Sequence, residues 1–148
     1  MKKAELIQLP TFIPTSIASQ LFAKLGQLFC LSGVWGQKKN TQFFDIISAA
    51  PSLQLYEHKN LIHIKEGNNT LNIENSSGID WLEGYLQEEK NSSYHLENTS
   101  TFIPVIFGFI GYISYDYGRK LETLPNITSN DINLPDLCGG VYHWNLIN

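Results

Sequence analysis

The amino-acid sequence has 148 residues and a net charge of −4, with 43% apolar, 12% aromatic and only 16% charged residues. This length corresponds to about one domain, and the apolar content is sufficient for a buried core, which excludes a disordered chain. No cluster of basic residues accompanies the aromatic ones, which argues against nucleic-acid binding. The low charge indicates that part of the surface is normally covered by something else.

The sequence carries no sign of export or membrane insertion. Two lysines near the start are not followed by an apolar segment, so this region does not resemble a signal peptide. The most apolar stretch, residues 102–113, is interrupted by Pro104 and two glycines and is too short to span a bilayer. Cys30 and Cys138 have no neighbouring Cys or His partner, as expected of thiols in a reducing compartment. We therefore expect a cytoplasmic protein.

The chain begins with an alternating segment, residues 4–9, that predicts a strand ended by prolines. Residues 15–29 follow with helical spacing, and Thr15 or Ser16 is the expected N-cap because a short hydroxyl satisfies a free backbone N–H. The apolar residues of this helix fall on one stripe, formed by Ile17, Leu21, Leu25 and Leu28.

The middle of the chain is rich in strand signals. Strands are predicted from β-branched, aromatic or alternating residues, and two of them form a hairpin around a polar turn at residue 59. These strands cover residues 30–36, 41–51, 52–58, 60–67 and 70–75. A short amphipathic helix is predicted next, at residues 78–90, with Ile79, Leu82 and Leu86 on one side.

The last third contains the most apolar segment, residues 102–116, which predicts a central strand buried on both faces. Asp116 is expected to cap a short helix that ends near Leu124, and residues 137–148 form a final strand. Because this strand runs to the last residue without a polar tail, we expect the chain to be cut from a longer one. The class is α+β, with mostly antiparallel, sandwich-like sheets and two or three short helices.

Three kinds of chemistry can be weighed from the residues alone. Gly108 and Gly111 lack the lysine and hydroxyl residue of a phosphate loop, and glycines inside a strand more often mark a bulge or a close backbone approach. Asp116 and Glu122 are candidates for acid–base chemistry. With Arg119 and Lys120 between them, ion pairing explains the same residues.

The histidines do not predict a metal site, because they are scattered without ligand spacing. They are His58, His63, His95 and His143. A Ser-His-Asp triad stays open on residue order alone, but the G-x-S-x-G elbow is missing. The residues by themselves identify no catalytic site.

Two segments carry a family resemblance: "GFIGYISYDYGRKLETLP", residues 108–125, and "DINLPDLCGGVYHWNLI", residues 131–147. Together they resemble the amino-terminal domain of the chorismate-utilising synthases, the large subunits of anthranilate and aminodeoxychorismate synthases. "FFDIISAAP" upstream is similar to a Phe-Asp-Ile strand of the same family. The residues that form its structural signature here are Gly111, Tyr115, Asp116, Arg119 and Glu122.

Two departures favour the aminodeoxychorismate branch, component I, over the anthranilate branch. Anthranilate synthases usually carry a valine where Gly118 stands. They also usually carry Leu-Leu-Glu-Ser where this chain has "CLSG", so that Ser32 matches the serine and the glutamate is missing. The anthranilate branch is kept as the alternative.

The resemblance implies that chorismate and Mg²⁺ bind in a carboxy-terminal catalytic domain, absent from residues 1–148. The whole enzyme would aminate chorismate with ammonia from a glutamine amidotransferase partner, whereas this chain alone would be inactive and serve as a scaffold. The resemblance also implies a tryptophan pocket between sheets, lined by Ser32, Thr41, Gln42, Phe43 and Phe44. Two other interpretations stay open: that the phenylalanines are ordinary strand residues, and that the chain is a free-standing amino-acid-binding module.

Overall fold

A computed structural model describes residues 2–34, 44–91, 94–95, 107–122 and 133–148, with the side chains of residues 2, 3, 34, 91, 94 and 95 left aside. The helices are α1 (Thr15–Phe22), α2 (Gly78–Asn91) and α3 (Gly118–Leu121). Single 3₁₀ turns lie at Ala23–Leu25 and Tyr115–Tyr117. The strands are β1 (Lys2–Lys3), β2 (Phe29–Val34), β3 (Phe44–Ser48), β4 (Leu53–His58), β5 (Leu61–Glu66), β6 (Asn69–Glu74), β7 (Tyr94–His95), β8 (Gly108–Ile113), β9 (Leu137–Tyr142) and β10 (Leu146–Ile147).

The larger sheet has five antiparallel strands in the order β6-β5-β4-β9-β8. Alternate residues of β4, β5 and β9 point to one face and are buried there against α2 and the turn at Tyr117, as the period of two requires. This core consists of Leu53, Leu55, Ile62, Ile64, Leu82, Tyr117, Leu137 and Val141. The predicted hairpin, its third strand and the α+β class are confirmed.

The smaller sheet is antiparallel in the order β10-β3-β2, and β1 and β7 add a short parallel pair. The end of β9 lies where the five-stranded sheet meets the three-stranded sheet. There the hydroxyl of Tyr142 donates to the carbonyl of Gln27 at 3.1 Å, and its ring packs edge-on against Phe29. Tyr142 is buried, so the two antiparallel sheets meet at this point.

Helix α1 differs from its prediction at both ends. Pro14 precedes it without a side-chain cap, and the α-helical hydrogen bonding stops at Phe22 before a 3₁₀ turn that ends at Gly26. Gly26 has a φ of 83°, a conformation that only glycine adopts readily and that ends the helix. The strand predicted at residues 4–9 is wrong, because this segment has no regular structure beyond β1.

The apolar stripe of α1 faces solvent. The exposed fractions are 48% for Ile17, 54% for Leu21 and 56% for Leu25, and the preceding segment also exposes Ile7 and Phe12. The predicted stripe is confirmed on α1 for Ile17 and Leu21 alone, because Leu25 lies in the 3₁₀ turn and Leu28 lies beyond it. An amphipathic helix gains most of its stability by covering such a stripe.

Two predictions about the last third are corrected. The strand at residues 102–116 is not central where it is described: β8 lies at the end of the described sheet, and Tyr112 and Ile113 are exposed. The position between β4 and β8 belongs to β9, whose neighbour on each side satisfies its backbone hydrogen bonds. The final strand divides into β9 and β10, separated by residues 143–145.

No helix within the part of the chain that the structure describes is both long and apolar enough to cross a membrane.

Candidate functional site

The signature segment forms a tight corner after β8. Asp116 and Arg119 form an ion pair of 2.9 Å between Oδ1 and Nε, with both side chains partly in solvent. Tyr115 is 95% exposed, and Glu122 ends α3 at the surface. Asp116 does not cap a helix, because it lies inside the 3₁₀ turn and makes no capping hydrogen bond. Gly111 lies in β8 opposite Gly139 of β9.

The buried contact of this corner comes from Lys120, which is not part of the signature. Its Nζ lies 2.7 Å from Oε1 of Glu57 on β4 and 3.0 Å from Oδ2 of Asp136. The Glu57 side chain is buried, and its Oε2 accepts the backbone N–H of Gly78, the first residue of α2, at 3.0 Å. One carboxylate therefore joins the central hairpin, the start of α2 and the corner.

The two acids of this Glu57–Lys120–Asp136 cluster favour the charged form of Lys120. Burial lowers the pKa of Lys120, but the hydrogen bonds and negative charges of Glu57 and Asp136 outweigh it, so that the pKa lies above its ordinary value of 10.5. The amino end of α2 also attracts the Glu57 carboxylate. Because the acids and the lysine are bound to one another, the cluster fits a structural role.

The amino end of α2 is closed by a second contact. Ser77 Oγ accepts the N–H of Asp80 at 3.2 Å, as an N-cap residue does, and lies 3.3 Å from the hydroxyl of Tyr117. The Tyr117 ring also lies under Lys120, whose Nζ is 5.2 Å from its centroid. The Ser77–Tyr117 contact holds the corner to the start of α2, and the contact of Lys120 with Tyr117 lies within the corner.

The residues predicted for an amino-acid pocket are described only in part. Ser32 is an exposed residue of β2, and Phe44 begins β3 beside it in the smaller sheet. Thr41, Gln42 and Phe43 lie outside the described residues. The pocket stays a prediction, with two of its five residues placed on neighbouring strands.

Asp45, which follows Phe44, was not predicted, and both of its carboxylate oxygens accept hydrogen bonds. Its Oδ1 accepts the backbone N–H of Gly33 at 3.2 Å, and its Oδ2 accepts the hydroxyl of Thr15. The hydrogen bond from Thr15 is the largest influence on the pKa of Asp45, followed by that from Gly33, and together they hold it below 3.8. The signal in the sequence was a lone acid inside the apolar run of β3.

The lowered pKa of Asp45 predicts an acid-dependent contribution to stability. Since the folded-state pKa lies below the unfolded value of 3.8, the contribution is present above that pH and is lost as the pH falls through the folded-state pKa. We expect the urea midpoint of Asp45→Asn to lie below that of the natural protein from pH 5 to 7 and to approach it in stronger acid. A gap between the midpoints that does not change with pH would contradict this.

No three His, Cys, Asp or Glu side chains come close enough to hold a metal ion in residues 2–34, 44–91, 94–95, 107–122 and 133–148.

Comparison with known proteins finds relatives among two kinds of synthase subunit. The chain is 34% identical over 104 residues to aminodeoxychorismate synthase component 1 of Klebsiella aerogenes, covering 70% of this chain and 22% of that protein. The Escherichia coli K12 protein of the same name is 47% identical over 45 residues, 30% of this chain and 10% of the relative. Anthranilate synthase component 1 of Acetivibrio thermocellus is 30% identical over 108 residues, 73% of this chain and 21% of the relative. No family model matches the chain.

These relatives confirm the resemblance found in the sequence. The chain is similar to the component 1 subunits of both aminodeoxychorismate and anthranilate synthases, the two branches named by that resemblance. It spans about a fifth of the length of the curated relatives that match it over most of its residues.

Proposed function

We propose that the chain is the amino-terminal, non-catalytic domain of the large subunit of an aminodeoxychorismate synthase. The full-length enzyme aminates chorismate to 4-amino-4-deoxychorismate with ammonia that a glutamine amidotransferase subunit releases from glutamine. The similarity over 104 residues to aminodeoxychorismate synthase component 1 carries this proposal. Chorismate and Mg²⁺ bind in the carboxy-terminal catalytic domain, and the reaction takes place in the cytoplasm.

Within the enzyme, this domain is a scaffold that packs on the catalytic domain. The proposal draws on the exposed apolar side chains of α1, of the segment before it and of the 3₁₀ turn after it, since exposed apolar side chains that cluster on a surface usually mark a contact with another protein surface. Its residues are Leu6, Ile7, Leu9, Phe12, Ile17, Leu21 and Leu25. The covalently continuous catalytic domain is the partner with the highest effective concentration.

Turnover by the full-length protein tests the function. With chorismate, ammonium and Mg²⁺, we expect 4-amino-4-deoxychorismate and no pyruvate, whereas anthranilate with released pyruvate would assign the protein to the alternative branch. Glutamine should replace ammonium only when the amidotransferase is added. Residues 1–148 alone should show no turnover, and turnover by them would contradict the scaffold role.

We further propose that the chain binds an amino acid of the tryptophan type in a pocket formed by Ser32, Thr41, Gln42, Phe43 and Phe44. Aromatic side chains suit an indole, while a hydroxyl and backbone groups suit the ammonium and carboxylate. The neighbouring Asp45 adds a negative charge, which suits the ammonium group.

Calorimetric titration of the protein with L-tryptophan tests this pocket. Ser32→Ala should weaken binding by about 3- to 10-fold, the equivalent of one ordinary hydrogen bond. Ser19→Ala is the matched control, since its hydroxyl is bound to the carbonyl of Thr15 within α1, and it should leave the affinity unchanged. Equal affinities of the natural protein, Ser32→Ala and Ser19→Ala for tryptophan would show that Ser32 does not contact the ligand. Tight binding by residues 1–148 alone would favour a free-standing amino-acid-binding module.

A further inference from the structure

Strand β2 contains an irregularity at the position of Ser32. Leu31 pairs with Ile46 and Val34 pairs with Phe44, so two residues of β2, Ser32 and Gly33, lie opposite the single residue Asp45 of β3. Gly33 has a φ of 69°, which a residue with a side chain adopts only with strain. A bulge of this kind bends the strand and changes the direction of its side chains, and such bulges are frequent beside binding sites.

The carboxylate opposite the bulge connects it to a distant part of the chain. One oxygen of Asp45 accepts the N–H of Gly33, within the bulge, and the other accepts the hydroxyl of Thr15, the first residue of α1. These two partners precede Asp45 in the sequence by 12 and 30 residues. A change in the direction of the carboxylate must therefore alter both contacts.

The backbone of Asp45 is fixed from the opposite side of β3. Its N–H and C=O pair with the C=O and N–H of Asn148 at 2.9 and 3.0 Å. The side-chain nitrogen of Asn148, Nδ2, donates to the carbonyl of Ile13 at 2.9 Å and lies 3.3 Å from Thr15 Oγ1. With its backbone held in this way, Asp45 can change position mainly through its side chain.

We propose that Asp45 is a positioning residue, whose carboxylate holds the Ser32–Gly33 bulge and ties it to the first residue of α1. A shift in the position of Ser32 is then accompanied by a shift in the position of the first residue of α1. The proposal rests on the proposed function only where it makes Ser32 a ligand contact.

Amide hydrogen exchange of Gly33 in the full-length protein tests the positioning without a ligand. Asp45→Ala, which removes both contacts, should speed exchange at Gly33 at least about 10-fold relative to the buried Ile47 amide, because an unbonded exposed amide loses its protection. Asp45→Asn should stay within about threefold of the natural protein, since an amide oxygen still accepts from Gly33 and the amide nitrogen still reaches Thr15. Unchanged exchange in Asp45→Ala would overturn the proposal.

The link to α1 has its own test. Thr15→Val keeps the shape of the side chain but removes its hydroxyl, and we expect Gly33 exchange to rise about threefold because the carboxylate loses one restraint. Ser19→Ala removes a hydroxyl one turn further along the same helix, which donates to the backbone carbonyl of Thr15, and should not change Gly33 exchange. Equal exchange rates in Thr15→Val and Ser19→Ala would overturn the coupling to α1.

Tryptophan titrations of the same variants separate this proposal from the proposed pocket. Asp45→Ala should weaken binding at least about 10-fold and Thr15→Val about threefold, and adding Thr15→Val to Asp45→Ala should cause no further loss. Additive losses would overturn the coupling. If the natural protein binds no amino acid, the pocket is refuted, and the exchange rates of Gly33 still decide whether Asp45 positions the bulge.

Discussion

Lys120→Met is expected to lower the free energy of unfolding by about 3 kcal/mol, at the lower end of the cost of removing one partner from a buried ion pair. The substitution keeps the length of the side chain but leaves the Glu57 carboxylate buried without its cation. Glu57 retains its hydrogen bond from the N–H of Gly78, which carries no full charge. The lower end applies because Lys120 is itself 26% exposed, so that solvent screens part of the interaction.

Urea denaturation with two further variants isolates this effect. Asp116→Asn breaks the neighbouring, partly exposed ion pair of the same corner and should cost less than about 1 kcal/mol. Glu57→Gln added to Lys120→Met should restore part of the lost stability, because a neutral amide needs no counter-charge. If Lys120→Met cost no more than Asp116→Asn, the Glu57–Lys120–Asp136 cluster would not be the main connection of the corner.

The same variant has a predicted pH dependence. The pKa of Lys120 is raised in the folded state above its ordinary value of 10.5 by Glu57 and Asp136, against the opposing effect of burial. Its contribution is therefore fully present below the unfolded pKa and is lost as the pH rises through the folded-state pKa. The gap in stability between the natural protein and Lys120→Met should be constant from pH 6 to 9 and shrink above about pH 10.5.

The sequence predicted those elements whose pattern is local. The hairpin of β4 and β5 alternates with period two around a short turn, and α2 has apolar residues at helical spacing after a serine cap, so both were found near their observed bounds. The position of β8 at the end of the described sheet was not predicted, because a run of apolar residues is compatible with both a central and an edge strand. In the same way, the spacing of Ile17 and Leu21 on α1 was predicted from the sequence, but their exposure was not.

The contacts that organise the corner could not be derived from the signature residues. Lys120 was noted only as a charge between two acids, and its partner Glu57 lies 63 residues away on β4. An acid at a core-facing position of an alternating strand was the available signal, since a buried carboxylate requires a partner. Asp45 gave a similar signal in β3, whereas Thr15 and Gly33 become its neighbours only through the folding of α1 and β2 against β3.

Gly111→Ala is expected to destabilise the protein by about 2–3 kcal/mol, the cost of forcing extra volume into a packed site. Gly111 and Gly139 face each other across β8 and β9, with the Phe109 ring lying over both. A Cβ on Gly111 would contact the carbonyl oxygen of Cys138, and would lie 2.7 Å from the Cα of Gly139 and 2.8 Å from the Phe109 ring. The first two obstacles are backbone atoms held by the hydrogen bonds of the sheet, so they have little freedom to move.

Gly84→Ala is the matched control and should have the opposite sign. Gly84 lies on α2 without a positive φ, and a methyl group added there would meet no other atom within 4 Å, so alanine should stabilise the helix by about 0.5–1 kcal/mol. Thermal and urea unfolding of both variants give the two values. Gly111 belongs to the family signature, so these two results, combined with turnover, decide whether its role is structural or lies in the reaction. A cost at Gly111 without an effect on the turnover proposed for the full-length protein assigns it to the close approach of β8 and β9. A loss of that turnover without lost stability would instead give Gly111 a role in the proposed reaction.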